Sequence, residues 1–187
     1  MKRHAAVGML VFVYKGVNLW ENVVKSPINL LRRDKLFRGI SNASIDKKGR
    51  LGLPQRFREI YRSNSAGKLV VTIDTQDRCL LIYPLNEWDV VQRRLESLSN
   101  VHQGTRMLQR RLIGHATDLE MDKSGRILLP SLLRNYAFLK NKTVLIGQGN
   151  KLEAWSDKVW EDQMEAWQDQ GNKAAMENVE MIGEVSI

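Results

Sequence analysis

The apolar positions of this chain change period in a fixed order, and the order occurs twice. Residues 40–45 alternate weakly and predict a short strand. Asp46-Lys47-Lys48-Gly49 is turn chemistry, because Asp can bond its own backbone and Gly allows positive φ. From 50 to 53 the alternation resumes, with Leu51 and Leu53 on one face and Arg50 and Gly52 on the other. Pro54 suits the first turn of a short helix carrying Phe57 and Ile60. Two further strands are predicted at 68–74 and 78–83, joined by Thr75-Gln76-Asp77. Trp88, Val91, Leu95 and Leu98 then recur at helical spacing, with Asn86 and Asp89 marking the helix start. A polar break at 99–104 leads into a second helical stretch ending at Leu112. The first order then returns: strand 116–121, turn 122–125, strand 126–129, helix 131–137, and strands 143–147 and 151–155 around Gly149-Asn150. A last helix carries Val159, Trp160, Met164 and Trp167, and past about Asp169 the polar, acidic sequence predicts fraying.

The words repeat along with the pattern. Asp46-Lys47-Lys48-Gly49-Arg50-Leu51-Gly52-Leu53-Pro54 returns as Asp122-Lys123-Ser124-Gly125-Arg126-Ile127-Leu128-Leu129-Pro130, and Arg58 and Arg134 follow in register. Seven positions agree, so the chain holds two copies of one module related by pseudo-symmetry. One copy of about 50 residues is too small to bury a sufficient core. Each copy offers a small sheet with one apolar face and open edges, and pairing the two sheets closes edges and builds one core.

Charge sharpens this picture. The formal net charge is +8, but it is uneven. Residues 36–62 hold seven basic and two acidic side chains, whereas 151–187 hold three basic and nine acidic. That is an oriented electrostatic surface rather than a uniformly sticky one. Cys79 is the only cysteine, which rules out an internal disulfide and fits a reducing compartment. Its place in the apolar run 79–83 predicts a buried structural thiol.

The chemistry sits at the repeated turns. Arg50 and Arg126 each follow a tight turn and point away from the apolar strand face, where a guanidinium can grip phosphate or guanine O6 and N7. Lys47, Lys48 and Lys123 lie on the turns and could neutralise backbone phosphates. Asp46 and Asp122 are poor ligands for DNA; with Gly49 and Gly125 they shape the turn or hold the following arginine. The plainer alternative is an ordinary surface ion pair across each turn, worth little energetically. For Arg58 and Arg134, packing or ion pairing beside the core stands level with DNA contact. Arg106, Arg110 and Arg111 form a helical stripe that reads as a solvated or intersubunit face. Trp88, Trp155, Trp160 and Trp167 fall in apolar patterns and read as core or interface, not stacking platforms. No catalytic constellation emerges: His4, His102 and His115 are scattered, and neither a P-loop nor a Gly-x-Ser-x-Gly motif occurs.

The repeated Asp-x-x-x-Arg, with Phe37-Arg38-Gly39 before the first copy and Arg111-Leu112-Ile113-Gly114-His115-Ala116 before the second, resembles the bacterial MraZ proteins of the AbrB/SpoVT-like DNA-binding group. Leu80-Leu81-Ile82-Tyr83-Pro84 and Val144-Leu145-Ile146-Gly147-Gln148 extend the match, which covers about Leu36 to Trp167. The resemblance implies a mainly β, α+β fold in which tandem AbrB-like repeats form a pseudo-two-fold, swapped-hairpin barrel with flanking helices. It implies repeats at 36–84 and 114–155, a helical connection at 85–113, and a C-terminal helix with acidic tail at 156–187. It also implies a cyclic homo-oligomer that binds promoter repeats of the division and cell-wall gene cluster in the cytoplasmic nucleoid. Arg38 then joins Arg50, Arg126, Lys47, Lys48 and Lys123 as a DNA-binding residue. No cofactor, metal, membrane or small-molecule substrate is expected. The alternatives are an antitoxin-like AbrB-fold protein, which also binds DNA, and a structural ring.

The family pattern begins with Met-Phe-Arg-Gly, where this chain has Leu36-Phe37-Arg38-Gly39. Leucine codons can start translation, so residues 1–35 read as translated upstream DNA. The rivals are a genuine flexible extension and a targeting signal; against the signal, Lys15 ends the apolar run of 5–14 early and no small-x-small cleavage site follows closely.

Overall fold

A computed structural model describes residues 36–177. The expectation of a misassigned start at 1–35 lies outside the described residues. The eight strands are β1 (Phe37–Ser44), β2 (Arg50–Gly52), β3 (Lys68–Ile73), β4 (Leu80–Pro84), β5 (Thr117–Glu120), β6 (Arg126–Leu128), β7 (Lys142–Gly149) and β8 (Leu152–Ser156). The helices are α1 (Gln55–Ser65), α2 (Leu85–Glu96), α3 (Gln103–Leu112), α4 (Ser131–Tyr136) and α5 (Asp157–Glu177).

Six strands form one antiparallel sheet in the order β1-β7-β8-β4-β3-β5, and β2 and β6 form a separate two-stranded ribbon. The order carries the pseudo-symmetry. The first strand of each repeat pairs with the third strand of the other, β1 with β7 and β5 with β3. The two repeats meet at the centre through β4 and β8, and again through β2 and β6.

The expected barrel does not close. Among the described residues the large sheet ends in open edges at β1 and β5, and an isolated bridge, Ile45 to Leu51, ties the end of β1 to the ribbon. The reason lies in what fills the sheet's apolar face. Leu51, Leu53, Ile127 and Leu129 from the ribbon, Phe57 and Tyr61 from α1, and Leu133 from α4 occupy the space around which a barrel would curl. The opposite face carries a second core, in which Val70, Cys79, Leu81, Tyr83, Val144 and Trp155 pack with Trp88 of α2 and Val159 and Trp160 of α5. Cys79 is buried, as its apolar run predicts, and burial pushes its thiol well up.

Several boundaries move. β1 begins at Phe37 rather than 40, because its register against β7 runs from Phe37–Gly149 to Ser44–Lys142. Phe37 is fully buried, with its ring 4.8 Å from that of Tyr61 and 5.9 Å from that of Phe57. Helix α2 starts at Leu85 with Pro84 at its cap, not at Asn86, and Leu98 lies beyond its end, exposed. In α1 the buried pair is Phe57 and Tyr61, with Ile60 only half-buried. Helix α5 runs to Glu177, past the fraying expected at Asp169.

Candidate nucleic-acid interface

Each repeated turn is built by one aspartate. The backbone N–H of Gly49 donates to Asp46 O at 2.9 Å and that of Asp46 to Arg50 O at 3.0 Å. Asp46 Oδ1 accepts the N–H groups of Lys48 (2.9 Å) and Arg50 (3.0 Å), and Oδ2 accepts Arg50 Nε at 2.8 Å. The second copy repeats the pattern: Asp122 accepts Arg126 N–H and Arg126 Nε, both at 2.9 Å. The Arg50 N–H, aided by the Arg50 guanidinium and the Lys48 N–H, holds the Asp46 carboxyl down at about 2. The Arg126 backbone and side chain lower Asp122 in the same way. Both carboxylates are therefore charged at any physiological pH.

This settles the orientation of both arginines. Each ion pair is about one-third exposed and uses Nε alone. Among the described residues no hydrogen bond occupies the terminal amino groups of Arg50 or Arg126. An arginine fixed by Nε, with no hydrogen bond to its two Nη groups, keeps a donor fork available to a ligand. As an ion pair at a surface the contact stabilises the fold little; as an orienting device it fixes a long side chain before any ligand arrives.

The ribbon brings the two arginines together. In the β2–β6 register Arg50 faces Leu128, Leu51 faces Ile127, and Gly52 faces Arg126. Leu51 and Ile127 are fully buried, so Arg50, Gly52, Arg126 and Leu128 share the outer face. The arginines are diagonal neighbours, which on an antiparallel pair puts the two residues about 7–8 Å apart, their Cβ atoms somewhat less. Lys47, Lys48 and Lys123 are exposed on the flanking turns.

Arg58 and Arg134 have a role that their sequence positions left open. Arg58 Nε donates to Leu53 O, and Arg134 Nε donates to Leu129 O at 3.1 Å. Each guanidinium also lies over the turn glycine of the opposite repeat, Arg58 at Gly125 and Arg134 at Gly49. Reciprocal backbone bonds, Leu53 N–H to Gly125 O and Leu129 N–H to Gly49 O, both 3.0 Å, lock the same crossing. Both glycines have positive φ, +82° at Gly49 and +77° at Gly125, as tight turns require. Only the exchange of loops between repeats reveals this bracing; nothing local in the sequence signals it.

Arg38 is not part of this surface. It sits exposed near the start of β1, opposite Gln148, with most of that strand between it and Asp46. At about 3.3 Å per residue this is a separation on the order of 25 Å along the chain. Arg106 and Arg111 are also engaged elsewhere, Arg106 on the carbonyls of Asn100 and Val101 and Arg111 on the Tyr136 hydroxyl. Trp88 and Trp155 are buried, and Trp155, Trp160 and Trp167 form an edge-to-face cluster with centroids 5.7–6.1 Å apart. These rings are packing groups. No group of three or more His, Cys, Asp or Glu side chains suited to a metal occurs among the described residues.

Comparison with known proteins agrees with the double turn. The family model MraZ, described as MraZ protein and antitoxin-like, matches twice, at residues 36–111 and 112–180. A protein named "Transcriptional regulator MraZ" from Coxiella burnetii (strain RSA 493 / Nine Mile phase I) is 48% identical over 132 residues, covering 71% of this chain and 87% of the relative. Its namesake in Legionella pneumophila (strain Paris) has the same identity and coverage. That of Hydrogenovibrio crunogenus (strain DSM 25203 / XCL-2) is 50% identical over 125 residues, 67% of this chain and 82% of its own length. With two matched copies and relatives at this identity, the chain belongs to the MraZ family.

Proposed function

We propose that this chain is a transcriptional regulator that reads double-stranded DNA with the outer face of the β2–β6 ribbon. The observation that carries the reading is the pair of arginines on one face of the ribbon, each fixed through Nε by its own aspartate and each with its terminal amino groups free of hydrogen bonds among the described residues. The names of the relatives support regulation, and the chain is not an enzyme. A two-stranded ribbon fits the B-DNA major groove, and arginine forks read guanine O6 and N7 there. A diagonal spacing of about 7–8 Å matches roughly two base steps of 3.4 Å. Lys47, Lys48 and Lys123 flank the ribbon where groove walls would present phosphates. Asp46 and Asp122 contribute by orienting the arginines, not by touching DNA.

One ribbon makes few contacts. Repeats at 36–84 and 114–155 interlock within one chain, and several chains joined in a ring would engage neighbouring sites at high effective concentration. The family resemblance points to promoter repeats of the division and cell-wall cluster as the target, in the cytoplasmic nucleoid. Among the described residues no helix is long and apolar enough to cross a membrane. Footprinting on the DNA upstream of the chain's own gene tests the reading. We expect protection of evenly spaced repeats; no protection even at low salt would overturn it. The antitoxin-like description of the family favours one second reading, in which a small toxin occupies the C-terminal tail beginning with α5. A small protein that co-purifies with the chain and is released by deletion of α5 would support that reading.

A further inference from the structure

The ribbon's reading face breaks the pseudo-symmetry of the chain at one place. Arg50 and Arg126 are counterparts, and so are Gly52 and Leu128. One outer position is therefore bare where the other carries an isobutyl group. Leu128 is 58% exposed, although it lies in a strand whose neighbours Ile127 and Leu129 are essentially buried. Its register partner is Arg50, and Arg126 lies two residues before it on the same strand and face. A solvated leucine between two aspartate-fixed arginines buries nothing within this chain. It is poorly placed for an apolar protein contact, because docking one would desolvate the guanidiniums on both sides.

A base edge accommodates both kinds of group. The major groove of an A·T pair presents the thymine C5-methyl, an apolar knob beside polar acceptors, and apolar side chains contact it. We propose that Leu128 is a specificity-determining residue that packs on a thymine methyl next to the base read by Arg50. Gly52 leaves the equivalent place beside Arg126 without such a contact. The two halves of the ribbon thus read different base pairs, and the recognised sequence is asymmetric although the fold is nearly two-fold. This inference rests on the ribbon being the DNA-reading face.

Gly52 makes the inference testable in both directions. A Cβ built there meets only Ser44 O, at 3.9 Å, and its φ is not positive, so the β-carbon itself fits without strain. The probe is the promoter fragment upstream of the chain's own gene, with thymine or with uracil, which lacks only the methyl. Fluorescence anisotropy of the full chain gives the affinities, and light scattering gives the assembly size. We expect uracil substitution to weaken binding by the native chain about threefold or more, the worth of one buried methyl. Leu128→Ala should weaken binding to thymine DNA by a similar factor and no longer distinguish uracil, while Leu128→Met should retain the discrimination. Gly52→Leu should add a second thymine dependence.

Equal affinity of the native chain for the two DNAs overturns the inference. Loss of assembly size in Leu128→Ala also overturns it, by assigning the residue to a contact between copies. Arg50→Ala separates the inference from its foundation. If that variant binds poorly while thymine and uracil DNA are bound equally by the native chain, the ribbon still reads DNA and only the role of Leu128 fails. If Arg50→Ala binds as the native chain does, the ribbon reading falls and the Leu128 inference falls with it.

Discussion

At the residue scale the two aspartates separate orientation from charge. Asp46→Asn keeps an oxygen for the Arg50 and Lys48 N–H groups but turns an amide donor toward Arg50 Nε, so the guanidinium loses its anchor. On the proposed function the substitution also removes a negative charge near DNA. We expect binding to the specific site to weaken while binding to random DNA is unchanged or stronger; equal weakening of both would mean that Asp46 only maintains the fold. The pH dependence has a definite sign. A carboxyl held below its ordinary value contributes fully above about 3.9 and loses that contribution only as pH falls toward about 2. Operator affinity should therefore show no step from Asp46 or Asp122 between pH 5 and 8. The turn glycines should differ from each other. Both have positive φ, but a Cβ at Gly125 would overlap Arg58 Cδ and Nε, whereas one at Gly49 would lie 3.0 Å from the flexible end of Arg134. Gly125→Ala should be the more destabilising in urea unfolding, with strain on the order of 1–3 kcal/mol for the left-handed backbone before the clash is added.

At the element scale the period of the sequence located most strands and helices, because each buries one face against a single core. The alternation of Leu51 and Leu53 against Arg50 and Gly52 already assigned the ribbon's inner and outer faces, which is most of the candidate site. What escaped was set by partners distant in sequence. β1 begins three residues before its weak alternation does, since pairing with β7 rather than its own pattern defines it. The bracing arginines, Arg58 and Arg134, act on the turn of the opposite repeat, a relation no local spacing encodes. Arg38 stands beside the loops only in the family phrase, and the length of β1 separates them. Within α1, Tyr61 is fully buried and its hydroxyl donates to Ile82 O at 3.0 Å, tying helix to sheet. Tyr61→Phe should lower unfolding free energy by about 1 kcal/mol. Trp155→Ala, which empties the second core beside α5, should lower it by about 3–5 kcal/mol.

At the scale of the whole molecule, duplication places two matching turns on one ribbon at a fixed distance. Two arginines that a single repeat would present alone become diagonal neighbours on one face. The sheet remains open because the ribbon and two short helices fill its inner face, and Arg56 covers part of the β1 edge by donating to Ile40 O and Ser41 Oγ. In the proposed function the lysines of the turns supply the sequence-independent part of binding. Replacing Lys47 or Lys48 by alanine should weaken specific and random DNA alike and lower the salt slope by about one for each phosphate no longer neutralised. The most direct measurement is the affinity of the chain carrying both Arg50→Ala and Arg126→Ala for its upstream promoter DNA. It should be made by fluorescence anisotropy at several salt concentrations, with circular dichroism and light scattering confirming fold and assembly. Each arginine that reads a base is worth about 1–3 kcal/mol. The folded double variant should therefore lose at least tenfold in specific affinity and nearly all discrimination against random DNA. Unchanged affinity and discrimination in a folded, assembled double variant would show that the β2–β6 ribbon is not the surface that reads DNA.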